Sequence, residues 1–324
     1  MIAVLVLATI AIHEGAHVVV GAWVGFRLSS MRVGRIQIGR PFRISIYRGA
    51  GAGAGGWLGG WANLLPVKTE RLVPRAVAMV LAGPTANLLS GCAVLLLPYS
   101  KGFASDVFVL FSLVQGSVNL VPYRYKAVLS DGARILMLLG NRERGERWLA
   151  AMKLVAELRA GVPPESLSAD FLAKAVAVRD DSPDTVGAHA IAYTAALGQR
   201  KDAEAAQHLE TCLEYSGFAA PAVRQALMSD AAVFQALSRK RADLAERWLA
   251  AMPKKIESPS MRTRAEAAIL QAKGDAEGAL RKLDEMESSL LAEPDETRRE
   301  ISRRSLARWK SALRARGGSD GLPK

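Results

Sequence analysis

The sequence predicts a mainly α-helical protein: a membrane-embedded core of three transmembrane helices with a small β-hairpin or sheet, followed by a soluble α-helical domain. Three observations predict it. Three stretches approach membrane-spanning length, an alternating, glycine-rich segment separates the first two, and from about residue 141 the pattern turns helical and polar with recurring turns. Composition agrees, since 50% hydrophobic residues and a mean hydropathy of +0.11 coexist with 23% charged residues, a mixture suited to two solvents.

The expected spans are residues 1–24, 76–98 and 103–121, the last shorter and more polar. Each meets the requirement of about 20 mostly apolar residues. A cleaved leader does not suit the first, because no cation precedes its apolar run and His13, Glu14 and His17 interrupt its centre. Strands are expected within residues 28–62. There "MRVGRIQIG" and "FRISIYRG" alternate large apolar with polar residues at period two and read as a pair of short strands, and "GGWLGGW" offers a third extended piece. The glycine-rich run at 49–56 reads as close backbone approach or as a flexible connector.

Charge orients the spans. The loop between the first two holds nine Lys and Arg against Glu70 alone, so it and everything after the third span are expected in the cytoplasm, with the N-terminus outside. The net charge of +12 does not point to nucleic acid. Residues 1–135 hold thirteen Lys and Arg against four Asp and Glu, which is +9 of the total, so the basic charge follows the lipid bilayer. The two cysteines, Cys92 and Cys212, fall in different solvents and are expected to remain unpaired packing residues.

On a helix, residues four apart share a face, so His13 and His17 can hold one metal ion between two imidazoles. Glu14 lies to one side, where its carboxylate reaches water on the metal; this is the H-E-x-x-H pattern, with the glutamate as general base. Ionisable groups in a span are costly and functional by default. A catalytic site wants a third protein ligand. His189 and His208 lie in the soluble region and read as ordinary packing residues, which leaves a carboxylate: Asp131, followed by Gly132 after the third span, ahead of Asp106 at the opposite end of that span.

Three motifs in order, "HEGAH", "AGPTANLL", and "NLVP" followed by "SDG", resemble those of the site-2 protease family of intramembrane zinc metalloproteases. The resemblance covers residues 1–140. It implies one zinc ion per chain held by His13, His17 and Asp131, with Glu14 activating the water that attacks a peptide carbonyl in a membrane-spanning protein substrate. It also implies that Asn87 and Asn119 lie near the site and hold substrate backbone or the oxyanion. The setting it implies is a prokaryotic inner membrane. Two departures stand out: a long basic connector between Pro122 and Asp131, and no room at 99–104 for the PDZ domain some members insert. An extended substrate segment is expected to add to the edge of the strand pair. A rival expectation is an inactive scaffold of the same fold that holds partners through its helical domain; the presence of Glu14 beside both histidines favours activity.

Residues 141–324 form the second expected domain. "ERWLAAM" occurs at 146–152 and 246–252, each copy expected to open a helix with Trp and Leu inward. Turns near 198–202, 238–243 and 272–275 follow Leu197, Leu237 and Leu270, a spacing close to the tetratricopeptide period of about 34. An irregular α-solenoid that binds a cytoplasmic regulator or substrate tail is expected, with a disordered tail from about 314.

Overall fold

The structure, a computed structural model, describes residues 1–39, 42–46, 58–97, 102–125, 128–253, 259–290 and 296–317. They divide into two compact units, Met1–Ala160 with Ser168–Val178, and Gly161–Leu167 with Arg179–Lys324.

The first unit holds three helices long and apolar enough to cross a membrane: α1 (Ile2–Trp23), α2 (Leu72–Leu96) and α3 (Phe103–Leu120). At 1.5 Å per residue they run to about 33, 38 and 27 Å, against a hydrocarbon core of about 30 Å. Each packs on the other two.

Between α1 and α2 lie β1 (Phe26–Val33), β2 (Ile36–Gly39), β3 (Arg43–Ile46) and β4 (Gly60–Pro66), an antiparallel sheet in the order β3-β2-β1-β4. Here the expected pair of strands resolves differently. "MRVGRIQIG" is not one strand: Gly34 has a positive φ of 59°, and the chain turns there between β1 and β2. β1 begins earlier, at Phe26, because Phe26 is buried against Leu64, Ala76 and Met79. The third extended piece is β4, shifted to "GWANLLP" so that Leu64, Leu65 and Pro66 are buried. The glycine-rich run at 49–56 lies outside the described residues, as does the 98–101 loop.

The connector after Pro122 is a second small antiparallel ladder, β5 (Arg124–Tyr125) against β6 (Val128–Leu129). It leads into α4 (Asp131–Gly140), α5 (Arg142–Arg159) and α6 (Ala169–Val176). The division between the units thus falls after 160 rather than at 140, since α5 packs on α2, β4, α4 and α6. In α5 the first "ERWLAAM" puts Leu149, Trp148 and Met152 into the core around Met79, and buries Arg147, which donates to the Val178 carbonyl at 3.3 Å.

The second unit contains α7 (Pro183–Gly198), α8 (Asp202–Glu214), α9 (Pro221–Leu237), α10 (Ala242–Ala251), α11 (Pro259–Ala272), α12 (Ala276–Leu290) and α13 (Glu296–Gly317). The three expected turns are the α7–α8, α9–α10 and α11–α12 connections. The second "ERWLAAM" closes α10 instead of opening a helix, with Trp248 and Leu249 packed inward. The expected tail also differs: Arg314 lies in α13, because Leu306 and Leu313 bury one side of that helix against Leu283 and Leu290. Both cysteines are free, Cys92 exposed on α2 and Cys212 buried.

His189 is fully buried on α7, with Nδ1 3.0 Å from Nδ1 of His208 on α8, whose other nitrogen faces Glu204 at 3.9 Å. Burial first, then the neighbouring His208 and Arg179 charges, depress the His189 pKa from 6.5 to about 4. Burial also lowers His208. A histidine that resists protonation when folded binds fewer protons than its unfolded form between those values. Stability of this unit is therefore expected to be intact above pH 6.5 and to fall as pH drops toward 4. Chemical denaturation across that range should show the decline, and His189→Leu should flatten it.

Candidate metal centre

α1 carries the first half of the site. Its apolar length buries His13, Glu14 and His17 at 4, 8 and 8% exposure. The two imidazoles sit edge to face, with centroids 4.8 Å apart, on one side of the helix.

The second half arrives with α4. Ser130 caps this helix and holds the hairpin shut. Its Oγ accepts from the N–H of Ala133 (3.1 Å) and of Tyr123 (3.0 Å) and donates to the Val121 carbonyl (2.7 Å), while its own N–H reaches the Tyr123 carbonyl (3.0 Å). Nine residues of connector thus close on themselves, and Asp131 emerges back at the end of α3. Gly132 is required there, because a Cβ would lie 1.9 Å from the Leu120 carbonyl oxygen.

Asp131 Oδ2 comes to 3.0 Å from His13 Nε2 and 3.7 Å from His17 Nε2, and one ligand atom from each residue lies within 4.8 Å of the others. With metal–nitrogen and metal–oxygen bonds of about 2.0–2.2 Å, neighbouring ligands in a tetrahedral site stand roughly 3.3 Å apart. The three residues fit a metal ion. The far side of each imidazole fits as well. His17 Nδ1 lies 2.8 Å from the Met79 carbonyl, so it carries the proton and leaves Nε2 with its lone pair. Pro84 lacks the N–H that would close on Val80, which loosens α2 next to that carbonyl.

His13 Nδ1 faces the Asn87 carboxamide, with Nδ2 at 3.4 Å and the buried Oδ1 without a partner. With the carboxamide turned so that Oδ1 faces the ring, Nδ1–H donates to Oδ1 and His13 Nε2 keeps its lone pair. Asn87 is fully buried behind His13. It is therefore placed to orient a ligand, where a role in holding substrate had been expected. Asn119 lines the cavity in front of the site, on the arc of α3 that also carries Gln115. Asp106 is exposed in the first turn of α3, about 20 Å along the helix from Asn119, and is not brought to the site.

The cavity has a volume of about 1030 Å³. Glu14 and the three candidate ligands line one wall, the backbone of β4 another, and α3 a third. Gly60, at the start of β4, lies against Ile10 and Glu14. Among the described residues β4 has a ladder partner on its β1 side alone.

Two contributors went unnoticed in the sequence. Gly83 backs the site: a Cβ there would sit 2.4 Å from His17 Nε2 and 2.8 Å from His13 Nε2. Its signal was the "AGP" beside the helical proline. Arg134, one turn after Asp131, lines the cavity with its guanidinium 4.5 Å over the Trp148 ring, and its i+3 spacing from Asp131 was readable.

No protein-family model matches this chain, and neither does a curated protein or a solved structure.

Two substitutions follow. Gly83→Ala puts a methyl group where the Nε2 atoms converge and should abolish binding of one metal equivalent, read by elemental analysis of purified protein. Asn87→Leu removes the partner of His13 Nδ1 and should weaken metal affinity by about 10–100-fold in a chelator competition.

Proposed function

We propose that the chain is an intramembrane zinc metalloendopeptidase of the site-2 protease type. The observation that supports this most is the convergence of Asp131, at the start of α4, on His13 and His17 beside Glu14 in a membrane-length helix. Two imidazoles and one carboxylate are a donor set that suits zinc, with a position left open.

When bound, zinc lowers the pKa of water and polarises a carbonyl. The Glu14 carboxylate takes the proton of the attacking water as the new C–O bond forms, then delivers a proton to the leaving nitrogen as the C–N bond breaks. His13, His17 and Asp131 keep the ion fixed, Asn87 and the Met79 carbonyl hold the imidazoles, and Asn119 faces the peptide across the cavity. A helical substrate hides its carbonyls in its own hydrogen bonds and has to unwind first. β4 supports an extended segment there, since it is one of the sheet's two outer strands and lines the cavity, whereas no residue of β3, the outer strand of the expected pair, lines it.

The excess of Lys and Arg after α1 supports an outside N-terminus and a cytoplasmic second unit, and the resemblance implies a prokaryotic inner membrane. The paired helices of that unit support an irregular tetratricopeptide-like solenoid that receives a regulator or substrate tail, in place of a PDZ domain.

Glu14→Gln is expected to retain one zinc per chain and to lose about 10²–10⁴-fold in cleavage of a single-span substrate. Equal cleavage by both proteins would overturn the role of Glu14, and cleavage by neither would leave an inactive scaffold as the reading. Truncation after Val178 keeps the first unit whole; it should preserve zinc content while changing which substrates are cut in a competition assay.

A further inference from the structure

The second unit has a charge polarity that the proposed chemistry does not use. Residues 179–295 hold fifteen Lys and Arg against nineteen Asp and Glu, whereas α13 alone holds eight against two. A single helix at the end of the unit therefore reverses the sign of what precedes it.

The helix sorts its residues by face. Leu306, Trp309 and Leu313 pack inward with Leu283 and Leu290, and Trp309 Nε1 donates to Gln271 Oε1 at 2.6 Å. Lys310 belongs to this side: it is 9% exposed, and Asp284 and Glu287 each approach its Nζ to 2.5 Å. Arg303, Arg304, Arg308 and Arg314 are exposed. At 100° per residue they fall within an arc of about 140°, together with the small residues Ala307, Ser311 and Ala315. Arg304 lies inside that arc, with its guanidinium close to Gly161. The outward surface is thus a band of guanidinium groups about 17 Å long, interrupted only by small side chains.

We propose that this face binds the phosphate groups of anionic phospholipid at the membrane surface and docks the second unit there. Arginine forks match phosphate oxygens, and small neighbours let headgroups approach the helix. The apolar side is already consumed by the core, so the contact is electrostatic and lies at the headgroup level rather than among the acyl chains. Anionic lipid is favoured over a soluble acidic partner because three membrane-length helices in the same chain tether the second unit to a bilayer, which gives lipid a high effective concentration. The proposal does not depend on the protease reading.

The full chain is placed in nanodiscs of phosphatidylcholine alone or mixed with phosphatidylglycerol, and amide hydrogen exchange is followed over residues 302–315. Slower exchange in the anionic discs, reversed by salt, is expected. The docked population should fall about fivefold for each arginine removed at low salt. Combined replacement Arg303→Gln, Arg304→Gln, Arg308→Gln and Arg314→Gln should erase the difference between discs, and the matching lysine replacements should keep much of it. An unchanged thermal melt of the glutamine variant shows that the unit still folds. The proposal fails if wild type exchanges alike in both discs, if the glutamine variant keeps the difference, or if poly-glutamate or RNA protects α13 in neutral discs while anionic lipid does not.

Discussion

Burying two imidazoles and two carboxylates among membrane-length helices is the constraint around which the first unit is built. Each such group costs several kcal/mol in an apolar medium unless every polar atom finds a partner. For the two imidazoles the arrangement supplies those partners one by one. The Met79 carbonyl takes the far nitrogen of His17, Asn87 takes that of His13, and Asp131 faces both near nitrogens. α2 can approach closely enough to do this only because Gly83 has no side chain between the two rings. Asp131 can return only because Ser130 ties the hairpin at both ends and Gly132 clears the Leu120 carbonyl. Sheet, hairpin and helix break are consequences of satisfying one polar cluster.

That dependence explains what the sequence disclosed. "HEGAH" was legible because helical spacing alone places both histidines on one face, and the three turns of the second unit were legible because charged residues after a leucine end each helix locally. The connector after Pro122 was not, since two residues on each side form its ladder and four hydrogen bonds of Ser130 shape it. No periodicity records such contacts. Asn87 was found by resemblance but its direction was not, because whether a carboxamide faces a substrate or a ligand is decided by packing between α1 and α2. β4 was misplaced for a related reason: burial of Leu64 against α2, rather than alternation, sets where that strand begins and ends.

The repeated heptapeptide shows the same rule within one chain. In α5, Arg147 is almost fully buried and holds the Val178 carbonyl, while in α10 the corresponding Arg247 is exposed. Trp148 lies under a guanidinium beside the cavity, and Trp248 packs on the apolar cluster around Phe234. Seven identical residues give a helix in both places because propensity is local. They give different chemistry because burial belongs to the neighbours.

The proposed hydrolysis within a membrane would also need water, and the polarity of the cavity wall bears on that. α1 and α2 turn their polar atoms toward one another, whereas α3 buries only Ser112 and Gly116 and turns Gln115 and Asn119 to the cavity. The same lining includes Tyr123, Arg124 and Tyr125 of the hairpin, which are exposed, so the cavity carries hydrogen-bonding groups both beside Glu14 and at exposed residues. Gln115 is itself fixed by Thr9 at 3.0 Å, which keeps the arc facing inward. The least buried of the three helices is thus the one suited to bring water in. On the proposed chemistry, α1 and Asp131 of α4 hold the ion, α1 also carries the base, α2 orients the imidazoles, β4 holds the peptide, and α3 with the hairpin hydrates the place where they meet.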